Sequence, residues 1–144
     1  MQPVFASDDE ALAAAVTTYE RYLSVEAEIV SAGGAGAERV LEVTTDTYGL
    51  DLLADFREMR ATGERPAGPA TMAASRLVEI DRDRTRLSVA ICLDVSAMQL
   101  SEHPGEEAPR DTEDLVTVEA AFRSANAARI LLDGSKPWDG EPIC

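Results

Sequence analysis

Two carboxylates lie in otherwise apolar patterns, which makes them the residues of this sequence best suited to acid–base chemistry. Glu26 falls one turn beyond Tyr22 on a helical stripe that otherwise faces a core, and Tyr19 precedes both on the same stripe. A carboxylate beside a tyrosine hydroxyl is a set with which an isomerase moves a proton next to a carbonyl. The commoner alternative is a solvated carboxylate at the edge of the stripe.

Asp94 is the second carboxylate, and it shares one face of an alternating strand pattern with Cys92 and Ser96. Burial would raise the pKa of Asp94 toward the working range of a general base. An Asp bonded to the backbone or to a neighbouring Ser or Arg is the commoner case, and the alternation leaves both a pocket-facing and a solvent-facing orientation open. No residue is assigned as catalytic, and the candidate pocket residues are Tyr19, Tyr22, Glu26, Asp94 and Ser96.

The remaining reactive side chains predict neither a cofactor nor a metal site. His103, the single histidine, falls in an acidic segment beside Pro104 and is expected at the surface. The sequence contains no Gly-rich phosphate loop, no Ser–His–Asp set and no metal-ligand spacing. Its two cysteines, Cys92 and Cys144, lack a CxxC pair or a histidine cluster, which favours a disulfide over zinc, with two free thiols as the alternative.

The charge balance excludes whole classes of partner. The 144 residues include 27 acidic and 13 basic side chains, a formal net charge of -14. Because such a surface repels polyanions, we expect no nucleic acid or anionic lipid as a partner. No apolar run approaches the roughly 20 residues that cross a bilayer. No signal peptide is visible, yet the polar start at residues 1–10 is equally compatible with a removed signal or lipid-anchor segment.

A long amphipathic helix would position Tyr19, Tyr22 and Glu26. Ser7 and Glu10 have the Ser-x-x-Glu form of a capping box, and apolar residues then recur at three- and four-residue steps up to a Gly-Gly pair. We predict this helix over residues 8–31.

Two further helical segments follow in the sequence. A short one is predicted over 37–43, and a longer one begins at the capping residues 45–47 and ends at Gly63. The apolar face expected for the longer helix comprises Leu50, Leu53, Phe56 and Met59.

After a hinge rich in Gly and Pro at 63–69, the apolar pattern changes to a period of two, which predicts strands. One strand ends at 77–81 before a turn at 81–84, and a central strand runs over 87–97. The remaining segments are an exposed loop over 101–113 and two strands over 115–122 and 128–133, joined near 124–126. Helices followed by an antiparallel meander predict the α+β class. We expect a single domain over 10–144 after a flexible N-terminal segment over 1–9.

Three features together resemble a known family. They are the helix segment containing Tyr19 and Tyr22, the strand over 92–96 that reads Cys-Leu-Asp-Val-Ser, and the closing segment from Trp138 to Cys144. Over roughly 10–144 the chain is similar to NTF2-like domains of the actinobacterial cell envelope, which are often made as secreted or lipid-anchored precursors. The resemblance implies a cone in which N-terminal helices pack on a curved antiparallel sheet and leave a pocket. It also implies that Cys92 and Cys144 bond to each other outside the cytoplasm.

The leading hypothesis for the function is a non-catalytic extracytoplasmic NTF2-like domain at the cell envelope, which binds an unknown protein or a small apolar ligand. A second copy of the chain, which would form a homodimer through the sheet, is one such partner. Because the same superfold hosts ketosteroid isomerases and dehydratases, the alternative is a small enzyme that uses Glu26 or Asp94 with a tyrosine. An open cavity with convergent polar groups would favour the enzyme, and a filled interior would favour the binding domain.

Overall fold

A computed structural model of the chain describes residues 5–63, 70–96, 115–126, 129–141 and 143–144. Two α-helices, α1 (Asp8–Ser31) and α2 (Asp46–Thr62), flank a 3₁₀ helix (Ala37–Glu42). Four strands follow, which are β1 (Thr71–Ile80), β2 (Arg86–Asp94), β3 (Leu115–Asn126) and β4 (Arg129–Pro137). They form one antiparallel sheet in the order β1-β2-β3-β4, so the α+β class predicted from the sequence is confirmed.

Helix α1 has the limits that the sequence predicts. The Ser7 hydroxyl accepts a hydrogen bond from the Glu10 N–H at 3.1 Å, as a capping box requires. The Glu10 carboxylate accepts from the N–H of Ala6, at 3.3 Å, so the reciprocal half of the box reaches one residue further back than Ser7. No helix in the described ranges is long and apolar enough to cross a membrane.

The fold begins before residue 10, the boundary that the sequence suggested. The Phe5 side chain is 7% exposed and belongs to the core. Arg84, from the turn after β1, donates to the Phe5 carbonyl at 3.2 Å and to the Asp8 carboxylate at 2.8 Å. These contacts attach the start of α1 to the β1–β2 turn.

Helix α2 corrects one sequence expectation. Leu53 and Phe56 are buried and Met59 is half-buried as predicted, but Leu50 is 62% exposed. Gly49 occupies the buried position on that turn, because a Cβ there would clash with Cδ2 of Leu41. The close packing of α2 on the 3₁₀ helix therefore rotates Leu50 toward solvent.

The strands differ from the predicted ones mainly in length. Strand β2 ends at Asp94, whereas the sequence extended it to residue 97. Strands β3 and β4 continue to Asn126 and Pro137, beyond the predicted ends at 122 and 133. Cross-strand pairing sustains β3 past the last strongly apolar residue, which periodicity alone does not detect. The predicted loop over 101–113, with His103, lies outside the described residues.

The space between α1 and the sheet is filled by apolar side chains. Leu87, Val89 and Ile91 project from β2 into this core, and the rings of Tyr19 and Phe122 meet edge to face with centroids 6.4 Å apart. Side chains from both layers are almost fully buried, namely Ala11, Ala15, Tyr19, Ile29, Val89, Ile91, Phe122 and Leu132. Helix α1 thus packs directly on the inner face of the sheet.

The two edges of the sheet differ in whether another segment pairs with them. At β4, the segment before α2 adds a short parallel bridge, in which Thr45 N–H donates to the Leu132 carbonyl and Leu132 N–H donates to the Val43 carbonyl, both at 2.9 Å. In the described part of the chain, β1 pairs only with β2, so its other side is an open edge.

Candidate functional site

The candidate site is built around a short hydrogen bond on α1. The Tyr22 hydroxyl donates to Oε2 of Glu26 at 2.5 Å, across one turn of the helix. The Tyr22 side chain is buried and Glu26 is half-buried, so the bond lies at the inner margin of the helix. The carboxylate is therefore partly shielded from solvent and bonded to Tyr22 at the edge of the apolar stripe.

All three tyrosines of the sequence gather at this carboxylate. The ring of Tyr19 lies 5.7 Å from that of Tyr22, centroid to centroid. Tyr48 approaches from the first turn of α2, near enough for the Glu26 carboxylate to act on its phenol electrostatically. The Tyr22–Glu26 bond thus lies within α1, and Tyr48 faces it from α2.

Burial dominates the electrostatics of this cluster. It raises the pKa of Glu26 above its ordinary value, and the hydrogen bond from Tyr22 opposes that rise only in part. Burial, followed by the nearby Glu26 carboxylate, also raises the pKa values of Tyr19, Tyr22 and Tyr48. The three phenols therefore stay protonated at neutral pH and act as hydrogen-bond donors, while Glu26 is the group of the cluster that can exchange a proton.

Asp94 and Ser96 do not join the cluster. Asp94 lies on the face of β2 that carries Ala90 and Cys92, opposite the face that packs on α1. Its Oδ1 accepts from the N–H of Ser96 at 2.9 Å, and hydrogen bonds from the Ser96 side chain and backbone lower the pKa of this solvent-exposed carboxylate. The structure thus brings three of the five candidate pocket residues together and places the other two at the exposed end of β2.

The two cysteines form one disulfide, Cys92–Cys144, with Cα atoms 5.4 Å apart. Cys92 is 1% exposed within β2, whereas Cys144 is exposed and its Sγ lies 3.4 Å from Oγ1 of Thr117 on β3. The bond fastens the C-terminal tail to the outer face of the sheet. Within this tail, the indole N–H of Trp138 donates to the Glu141 carbonyl at 2.8 Å.

An open groove of about 600 Å³ lies at the β1–β2 hairpin. None of the five candidate pocket residues lines it. The Ser88 hydroxyl in the groove is buried and has no hydrogen-bond partner among the described residues. Its lining comprises Val78, Glu79, Ile80, Asp81, Arg86, Leu87 and Ser88.

Sequence reasoning missed Tyr48. The position of Tyr48 is explained by Thr45, which is the N-cap of α2. The Thr45 hydroxyl accepts a hydrogen bond from the Tyr48 N–H, and it donates one to the Asp133 carboxylate at 2.7 Å. The capping threonine was visible in the sequence, but the packing of the first turn of α2 against Tyr22 depends on a contact between two helices. The sequence contained a weaker indication that Tyr48 belongs to the site, because it is one of only three tyrosines.

Comparisons with known proteins identify the fold but not a family. No family model matches the sequence, and no curated protein matches it. The crystal structure of the intermembrane space region of the chloroplast protein ARC6 is similar, with a TM-score of 0.51 and 16% sequence identity. The similarity covers 87% of this chain and 97% of the ARC6 chain. At this identity the likeness establishes a shared fold of N-terminal helices on an open antiparallel sheet.

Proposed function

We propose that the protein is a non-catalytic extracytoplasmic domain that binds a protein partner or a small apolar ligand at the cell envelope. The observation that carries this proposal is the filled interior between α1 and the sheet, where Tyr19, Ile91, Phe122 and Leu132 pack against one another. Catalysis needs room for a substrate beside the proton-exchanging group. In the described structure, Glu26 faces tyrosines instead of an open space.

The disulfide supports the extracytoplasmic location, because such bonds form and persist in oxidising compartments and are rare in the cytosol. The similar structure comes from an intermembrane space region, which is in line with this proposal. A precursor with a secretion or lipid-anchor segment is part of the proposal, and so is membership of the NTF2-like family. The packing of a long N-terminal helix on an antiparallel sheet supports that membership.

We expect Cys92 and Cys144 to be oxidised in cells that produce the full-length precursor. Cells are quenched in acid, and the denatured protein is treated with a mass-tagged maleimide. The reagent should leave both cysteines unmodified, whereas reduction before the treatment should add two tags. A Cys144→Ser precursor calibrates the assay, because it offers one thiol under either treatment. Two tags on the wild-type protein without reduction would contradict the proposed location.

The proposed partner surface is the open edge of β1. The pairing of β1 with β2 is irregular between Leu77 and Glu79, beside the groove that contains the unpartnered Ser88 hydroxyl. An added strand would supply backbone hydrogen bonds to such an edge. A second copy of the chain is the simplest partner to test, and a strictly monomeric protein in sedimentation velocity up to about millimolar concentration would exclude it.

A small enzyme of the isomerase type is the second candidate, because the short bond between Tyr22 and Glu26 unites a phenol donor with a carboxyl group of raised pKa. We expect the protein to show no turnover of a β,γ-unsaturated ketosteroid above the buffer rate, and Glu26→Gln to behave identically. A wild-type rate that falls about 100-fold or more in Glu26→Gln would reverse the order of the two candidates. Glu20→Gln, an exposed change on the same helix, is the matched control.

A further inference from the structure

A bulge in β1 places two opposite charges on the same face of the sheet edge. Arg76 is paired with Ala90 of β2, and after the bulge Glu79 is paired with Ser88. Ala90 and Ser88 lie two residues apart on β2 and therefore share a face. In a regular strand, residues three apart would point to opposite faces, but the extra residue of the bulge, Val78, restores the phase. The arginine and the glutamate thus both lie on the outer face, opposite the core.

These two charges have no ionic partner within the described ranges. Arg76 and Glu79 are exposed, and neither takes part in an ion pair with another described residue. Their cross-strand neighbours on β2, Ala90 and Ser88, are small and uncharged. Both charges are therefore available to a strand that approaches the open side of β1.

The apolar side chains of the same edge are only partly covered. Leu77, Val78 and Ile80 are half-buried, and Leu77 and Ile80 pack against the margin of the core. A strand added beside β1 would remove more of their surface from water, and it would bond to the free N–H and C=O groups of the edge. The edge thus offers an apolar centre flanked by one positive and one negative charge.

We propose that this edge pairs with β1 of a second copy, antiparallel, so that Arg76 of each chain lies opposite Glu79 of the other. The inference rests on the proposed partner surface and assigns its partner and its register. Leu77 of one chain would then face Val78 of the other, between two equivalent ion pairs. Symmetric registers centred on Arg76 or on Glu79 would instead set like charges opposite each other, which destabilises an antiparallel pair.

The test is sedimentation velocity of the full chain at physiological salt, which screens the net charge of -14 that each copy carries. We expect the wild type to dimerise reversibly below about millimolar concentration. Arg76→Glu and Glu79→Arg should each weaken the dimer about tenfold, because each variant turns two attractive pairs into repulsive ones. An equimolar mixture of the two variants should dimerise as the wild type does, because every pair in the mixed dimer again joins opposite charges.

Repulsion between the two net charges predicts a different pattern. Arg76→Glu makes the net charge more negative and Glu79→Arg makes it less negative, so repulsion alone would weaken the first dimer and strengthen the second. The matched control is Arg57→Glu, an exposed change of the same charge on α2, which should dimerise like the wild type.

A protein that stays monomeric up to about millimolar concentration would overturn the proposal, and would indicate that the bulge protects the edge from other strands. A dimer that neither charge variant weakens would also overturn it, while leaving the edge of β1 as a partner surface. Neither result bears on the extracytoplasmic location, which the oxidation state of the two cysteines tests separately.

If a charge variant does not fold, crosslinking decides the register. Arg76→Cys mixed with Glu79→Cys should form a disulfide between chains under mild oxidation, because the proposed register sets these two positions opposite each other. Each variant alone should not, since its two new thiols would lie too far apart for a disulfide. Crosslinking that is no better in the mixture than in either variant alone would exclude the register.

Discussion

Replacing Cys144 by Ser is expected to lower the free energy of unfolding by about 2–4 kcal/mol. The bond closes a loop with a sequence separation of 52, and the loop-entropy relation gives about 4 kcal/mol for that length. Serine keeps the size of the side chain, and its hydroxyl can bond to Thr117, so the variant removes the covalent link with little other change. Chemical denaturation, followed by circular dichroism, measures the loss.

The same variant should loosen the tail that carries Trp138, the only tryptophan of the chain. Its indole N–H donates to the Glu141 carbonyl within the tail. The backbone N–H of Trp138 donates to the Thr117 carbonyl of β3 across 3.4 Å from nitrogen to oxygen, which is a weak attachment without the disulfide. We therefore expect a red shift of the tryptophan emission below the main unfolding transition. Reduction of the wild type should reproduce both effects and leave Cys144→Ser unchanged. Unaltered stability in both experiments would mean that the bond constrains nothing.

The helices were largely predictable from the sequence because their signals are local. A capping serine, a stripe of apolar residues and a Gly-Gly pair fixed both ends of α1. The face of α2 was predicted incorrectly at Leu50 because the deciding contact is non-local. Gly49 must approach Leu41 and Thr44 of the preceding segment, and only the folded packing reveals why glycine is needed there.

Only part of the candidate site was predictable from the sequence, again because some of its contacts are local and others are not. Tyr22 and Glu26 lie four residues apart on one helix, so helical geometry alone brings them together. Tyr48 joins them from another element, which no pattern in α1 indicates. The orientation of Asp94 was undecidable from alternation, since a period of two defines two faces without saying which one meets the helices.

Gly34, two residues beyond the C-cap of α1, lies close to the backbone of α2. Its N–H donates to the Ile29 carbonyl at 2.8 Å, and the N–H of Gly33 donates to the Val30 carbonyl at 3.0 Å, the pair of bonds that defines a Schellman motif. Gly34 has a φ of +98°. A Cβ at this position would lie 2.7 Å from the carbonyl oxygen of Phe56 and 3.3 Å from Cβ of Arg60, both on α2.

Gly34→Ala is therefore expected to cost about 2–5 kcal/mol of unfolding free energy, the sum of left-handed backbone strain, about 1–2 kcal/mol, and overpacking, about 1–3 kcal/mol. The opposing atom at 2.7 Å belongs to the α2 backbone, so relief requires the turn after α1 to move away from α2. The matched control is Gly63→Ala at the end of α2, where φ is +74° and an added Cβ would meet nothing within 4 Å. In urea denaturation, Gly63→Ala should lose only the free energy of the backbone strain. Equal losses in the two variants would show that the close approach of Gly34 to α2 adds nothing to the cost.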